Sequence, residues 1–121
     1  MLTWSKMLWR RSRPQDEITY GQVMEADGVM FDGPRRRVLV DGYLVHLPAR
    51  EAAVLGVLMV RPGQLVYRPA LVNAAWGTQL APHGAVDRLL RRLRRRLEPS
   101  PVSPARLRRV GDTGYIFGSM G

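Results

Sequence analysis

The sequence predicts an α+β domain with a four-stranded antiparallel sheet first, three helices next and a β-hairpin last. Three observations predict it. Between Tyr20 and Leu47, short β-rich runs alternate with Asp-Gly turn signals; from Pro48 to Leu97, apolar residues recur at helical spacing between Pro and Gly punctuation; and after Pro104, two short arms flank a small polar tip.

The strands are VMEA, VMF, RRVLV and YLVHL, separated by Asp27-Gly28, Asp32-Gly33-Pro34 and Asp41-Gly42. Each has the β-branched and aromatic content of a half-buried strand, and connections this short force antiparallel neighbours. A sheet of this kind needs a cover. Pro48 and Ala49 open a helix whose stripe is Ala52, Leu55, Leu58 and Met59, and Arg61-Pro62-Gly63 stops it. Gly56 within it reads as a mark of close packing. After an extended QLVY, Pro69 starts a second helix through Leu71, Val72, Ala75 and Trp76 to Gly77. Thr78, Gln79, Leu80, Ala81, Pro82 and His83 form a loop before the third helix, residues 84–97. EPSPVSP is a turn-rich connection, and ARLRRV and YIF around Gly111-Asp112-Thr113-Gly114 make the hairpin.

The third helix, GAVDRLLRRLRRRLE, carries the most chemistry. On a helical wheel Val86, Leu90, Leu93 and Leu97 share one narrow face, while Arg88, Arg91, Arg92 and Arg95 point away from it. A merely solvated face intersperses both signs of charge. Here six arginines stand against Asp87 and Glu98, which lie at the helix ends. That repulsion calls for an anionic partner. The chain as a whole carries a net charge of +9. Its basic residues are arginine apart from Lys6, and the planar guanidinium fork grips a phosphate or a guanine edge through two hydrogen bonds.

Composition excludes several classes. There is no cysteine, hence no disulfide framework and no thiolate chemistry. The longest apolar stretch, from Ala52 to Val60, is too short to cross a bilayer. In residues 1–20 the basic residues follow the apolar patch, the wrong order for a secretory signal. With Trp4, Trp9, Leu8, Lys6 and Arg11, this segment is expected to be a basic tail, with a membrane-surface helix the less favoured alternative. The expected domain spans 21–118, residues 119–121 form a C-terminal tail, and the expected location is cytoplasmic, at the nucleoid. His46 alternates with apolar residues and reads as structural; His83 has no ligand-forming partner at metal-binding spacing. The Gly111–Gly114 tip lacks the Lys-Ser or Lys-Thr and strand-to-helix context of a phosphate cradle. No catalysis, cofactor or metal is expected.

Together these elements describe a winged helix-turn-helix. The basic third helix is the reading element for the major groove of double-stranded DNA, and the wing, with Arg106, Arg108 and Arg109 on its first arm, reaches adjacent phosphates or a minor groove.

From about Gly21 to Phe117 the chain resembles the effector domain of OmpR/PhoB-type bacterial response regulators. The resemblance rests on an ordered set: Leu47, Glu51, Leu55, Pro62-Gly63, Trp76-Gly77, Val86-Asp87, Leu93-Arg94, Leu97-Glu98-Pro99 and Gly114-Tyr115. It implies sequence-specific promoter binding as a transcriptional regulator, a homodimer on direct repeats, and contact with RNA polymerase through residues 78–83. Arg91, Arg92 and Arg94 fall on positions that meet phosphates and bases in the family, and Arg88 and Leu89 on positions that face the groove. Arg95, Arg108, Arg109 and Thr113 complete the expected DNA-binding set.

Some positions depart from the family. Gly84-Ala85 stand where relatives have an arginine and a threonine, Gly111-Asp112 where they have Arg-Gly, and Tyr67 where a serine caps the second helix. Specificity is therefore expected to rest chiefly on Arg88, Arg91 and Arg92. No receiver domain precedes the fold in this sequence, so the expected regulatory input is abundance, a partner or a further domain rather than a built-in phosphorylation switch. The competing reading is a protein-interaction module that docks on RNA polymerase, a sigma factor or another regulator and binds DNA weakly. A non-specific nucleoid or RNA binder ranks third.

Overall fold

The computed structural model describes residues 23–77 and 80–118. The expected tails at 1–20 and 119–121, together with Thr78 and Gln79, lie outside the described residues. Strands β1 (Val23–Ala26), β2 (Val29–Asp32), β3 (Arg37–Val40) and β4 (Tyr43–His46) form one antiparallel sheet in sequence order. Helices α1 (Ala49–Val60), α2 (Arg68–Trp76) and α3 (Ala85–Arg96) follow, with β5 (Leu65–Tyr67) between the first two. Strands β6 (Leu107–Val110) and β7 (Gly114–Phe117) close the chain.

Turn chemistry sets the first sheet's register. Ala26 pairs with Val29 and Val40 with Tyr43, leaving two-residue turns at Asp27-Gly28 and Asp41-Gly42. All four turn residues have positive φ, between 51° and 84°, the requirement that selects Asp-Gly for a tight hairpin. The middle strands are buried more than an alternating pattern implies: all four residues of β2 are inaccessible, while Tyr43, Leu44 and His46 on the edge strand β4 are exposed.

One core joins sheet, helices and hairpin. Phe31, Val38 and Val40 from the sheet meet Leu55 and Leu58 of α1, Leu71 of α2, Leu90 and Leu93 of α3, and Phe117 of β7. The α1 stripe is as expected, with Val54 and the carboxylate-bearing Glu51 buried beside it. A methyl group at Gly56 would sit 3.7 Å from Phe31 Cε2, an ordinary contact, so close packing does not require glycine there.

The structure corrects two further expectations. The hairpin is part of a three-stranded sheet, because β5 pairs with β7 through Leu65 and Ile116, Val66 and Tyr115, and Tyr67 and Gly114. Arg106 is not a wing contact: it precedes β6 and is 3% exposed. Its Nε donates to the Asp27 carbonyl at 2.7 Å, Nη1 to the Leu97 carbonyl at 3.1 Å, and Nη2 to Asp41 Oδ1 at 2.8 Å. This guanidinium ties both tight turns of the first sheet to the end of α3. The burial is tolerated because each nitrogen finds an acceptor.

Candidate nucleic-acid interface

The interface is built on α3. Val86, Leu90, Leu93 and Leu97 are each 5% exposed or less and anchor the helix, while Arg88, Arg91, Arg92, Arg94 and Arg95 are exposed. Leu89, expected to face the groove, is instead 2% exposed and belongs to the core. The apolar stripe is wider than the narrow face of the wheel, because α1 and α2 both pack against α3 and Leu89 lies in the crevice with Glu51 of α1 and Trp76 of α2. Leu89 therefore cannot touch DNA without unpacking the domain.

The arginines divide into three rows. At about 100° per residue, and opposite a buried face that includes Leu89, Arg88, Arg91 and Arg95 lie along the middle of the exposed face, with Arg94 on one flank and Arg92 and Arg96 on the other. The first flank faces the hairpin, where Arg91, Arg94, Arg109 and Tyr115 line a crevice. The second faces α1, where Arg96 Nε donates to Glu51 Oε1 at 2.8 Å and Arg92 Nε lies 3.6 Å from Glu51 Oε2. Arg94 pairs with Glu98 at 3.4 Å along its own helix. Among the described residues no carboxylate pairs with Arg88, Arg91 or Arg95. Arg88 Nη1 donates to the His83 carbonyl at 3.3 Å, bending its side chain toward the start of the helix.

Asp87 fixes the helix start against the hairpin. Its Oδ1 accepts a hydrogen bond from Arg68 Nη2 at 2.7 Å and another from the Tyr115 hydroxyl. Burial works to raise the Asp87 pKa, but the bonds donated by Arg68 and Tyr115 outweigh it and hold the carboxyl below its usual range. Burial and the bond to Asp87 push the Tyr115 hydroxyl up to about 12, and the Asp87 bond likewise raises Arg68. Arg68 also donates from Nε to the Asp112 carbonyl at 3.0 Å, and its backbone N–H to the Thr113 carbonyl at 3.1 Å. One residue thus couples the recognition helix to the wing tip, a role with no local signal in the sequence.

At the wing, Arg108, Arg109 and Thr113 are exposed as expected. Arg109 is turned onto its own tip, donating to the Gly111 carbonyl at 2.9 Å and to Asp112 Oδ1 at 3.2 Å. The α2–α3 connection exposes Leu80, Pro82 and His83, with Ala81 half-buried. Among the described residues no group of three or more His, Cys, Asp or Glu side chains is arranged to hold a metal, and no helix is long and apolar enough to cross a membrane.

Comparison with known proteins agrees with this geometry. Residues 42–117 match the family described as "Transcriptional regulatory protein, C terminal". The chain is 31% identical over 107 residues to the sensory transduction protein RegX3 of Mycobacterium leprae, covering 88% of this chain and 54% of that protein. It thus spans about half the length of the relatives it matches. The DNA-binding domain of CpxR from Escherichia coli superimposes with a TM-score of 0.70 at 26% identity, over 82% of this chain and 98% of that one. The Klebsiella pneumoniae RstA DNA-binding domain, solved in complex with the RstA box, gives a TM-score of 0.67 at 26% identity, over 80% and 97%.

Proposed function

The chain belongs to this family of transcriptional regulatory C-terminal domains, and on that premise we propose that it binds double-stranded DNA sequence-specifically, with α3 in the major groove. The observation that carries the reading is the α3 surface: five exposed arginines on one side, three of them without a carboxylate partner among the described residues, and buried leucines on the other. A rigid helix with its charge on one side meets the geometric demand of groove insertion. Arg108, with Arg94 and Arg109 from the crevice between α3 and the hairpin, supplies backbone contacts beside it.

In this reading, residues 21–118 form the binding domain and the protein acts by binding rather than catalysis, in the bacterial cytoplasm at the nucleoid. The exposed Leu80, Pro82 and His83 support RNA polymerase contact through the α2–α3 loop. The exposed Tyr43 and Leu44 on edge strand β4 support a homodimer on direct repeats. Footprinting on genomic fragments tests the central claim, with a protected site and steep salt dependence as the expected result. Equal affinity for all fragments with no protected site would remove sequence specificity from the reading.

A further inference from the structure

Glu51 is a buried carboxylate beside the DNA-facing helix, and the DNA-binding reading leaves its purpose open. It sits in the first turn of α1, 3% exposed, with Arg96 on one oxygen at 2.8 Å and Arg92 near the other at 3.6 Å. These two arginines are one helical turn apart on the α1 flank of α3. Together with Arg50, Trp76 and Leu89, they line a crevice between the three helices. The Arg50 guanidinium lies over the Trp76 ring, 5.3 Å from its centroid, which fixes its position through a cation–π contact. Three arginines and one carboxylate therefore line the crevice, which stays cationic.

A helix lying in the major groove has one DNA strand's backbone along each flank. The middle row meets base edges and the flanking rows meet phosphates. Arg92 is on a flank, and the charge that directs it is behind it. We infer that Glu51 is a positioning residue that holds Arg92 and Arg96 against α1, so that with Arg50 they clamp a phosphodiester of one strand. Base reading then falls to Arg88, Arg91 and Arg95. The clamp makes Arg92 a backbone contact, although the sequence alone places it among the residues that set specificity.

This inference rests on the DNA-binding reading, and the test separates the two. Two probes are needed: a duplex recovered by selection from a random library, and a scrambled duplex of equal length. Arg92→Ala and Arg50→Ala should weaken both duplexes alike, each by about fivefold at 0.15 M salt, and each should reduce the slope of log K against log salt by about 0.9. Arg91→Ala should weaken the selected duplex by about tenfold or more beyond its effect on the scrambled one. Glu51→Gln removes the charge but keeps an acceptor for Arg96. It should raise affinity for the scrambled duplex and lower the selected-to-scrambled ratio by about two- to fivefold. Arg92 and Arg50 are exposed, so their variants report on binding even if the buried Glu51 variant loses stability. A loss for Arg92→Ala confined to the selected duplex would make Arg92 a base reader and overturn the inference while leaving DNA binding intact. Failure of the unmodified protein to prefer any selected duplex would overturn the DNA reading itself.

Discussion

Arg106→Met tests whether the buried guanidinium is a structural latch. Methionine keeps most of the apolar stem's packing and removes every donor. The change leaves the Asp27 and Leu97 carbonyls and the Asp41 carboxylate without the partners that now lie 2.7 to 3.2 Å away. Removing one member of a buried ion pair costs about 3–5 kcal/mol. The Asp41 side chain is 26% exposed, so water replaces part of what it loses, which places the cost near the low end, at about 3 kcal/mol. For a domain of this size that is a fall in Tm of about 10–20 °C.

Urea denaturation followed by circular dichroism, with calorimetry for Tm, measures this. The pH dependence gives a second readout. The Arg106 hydrogen bonds hold the Asp41 carboxyl below its ordinary value of 3.8. A depressed carboxyl pKa contributes stability that is fully present above the unfolded pKa and is lost as pH falls through the folded one. The gap between the unmodified protein and Arg106→Met should therefore be widest above about pH 5 and narrow in acid. Arg106→Met combined with Asp41→Asn should recover part of the loss, since no charge is then stranded and asparagine tolerates the positive φ of this turn. A stability loss under about 1 kcal/mol, together with a shallower salt dependence of DNA binding, would mean that Arg106 serves phosphates and that the latch argument is wrong.

Other substitutions separate fold from interface. Leu89→Ala should cost about 2–5 kcal/mol in denaturation while leaving the salt slope of DNA binding unchanged in the folded fraction. Gly114→Ala places a methyl group into the Val66 carbonyl and 3.0 Å from Tyr67 Cα, so it should cost at least about 1–3 kcal/mol and expose the β5 amides to hydrogen exchange. Gly56→Ala fits its helical site and should raise stability by about 0.4–1 kcal/mol in the same denaturation assay.

Local chemistry made much of the fold legible. Asp27-Gly28 and Asp41-Gly42 announce tight hairpins because positive φ at two adjacent residues selects that pair, and the α3 leucines announce a buried face by their spacing. What remained hidden depends on contacts across long stretches of chain. Arg106 meets Asp41 and Asp27 across 65 and 79 residues, so nothing beside it in the sequence distinguishes it from Arg108. β5 has three residues and gives no sign of its partner until β7 lies beside it. Leu89 is buried because helices pack on a side of α3 that a narrow wheel face leaves open. The Glu51–Arg96 pair spans 45 residues. The arginine row was readable as a charge pattern, whereas which arginines are directed sideways depends on the fold.

That arrangement of charge gives salt opposite effects on folding and on binding. The acidic partners of α3 lie on its flanks and at its ends: Glu51 toward α1, Asp87 at the first turn, and Glu98 past the last. Asp87 at the first turn and Arg94, Arg95 and Arg96 at the last also complement the helix dipole. Along the middle, Arg88, Arg91 and Arg95 repel one another with no paired carboxylate among the described residues. Raising salt from about 0.05 to 0.5 M shortens the screening length and relieves this exposed repulsion. The Glu51 side chain, 4% exposed, is shielded from the same ions, so its pairs lose less. The free protein should therefore gain thermal stability as salt rises, while its affinity for DNA falls through counterion binding. Thermal scans of the free protein across that range check the first half. A Tm that drops steadily with salt would mean that the surface ion pairs outweigh the repulsion along the arginine row, and that the row is not the uncompensated surface on which DNA recognition depends.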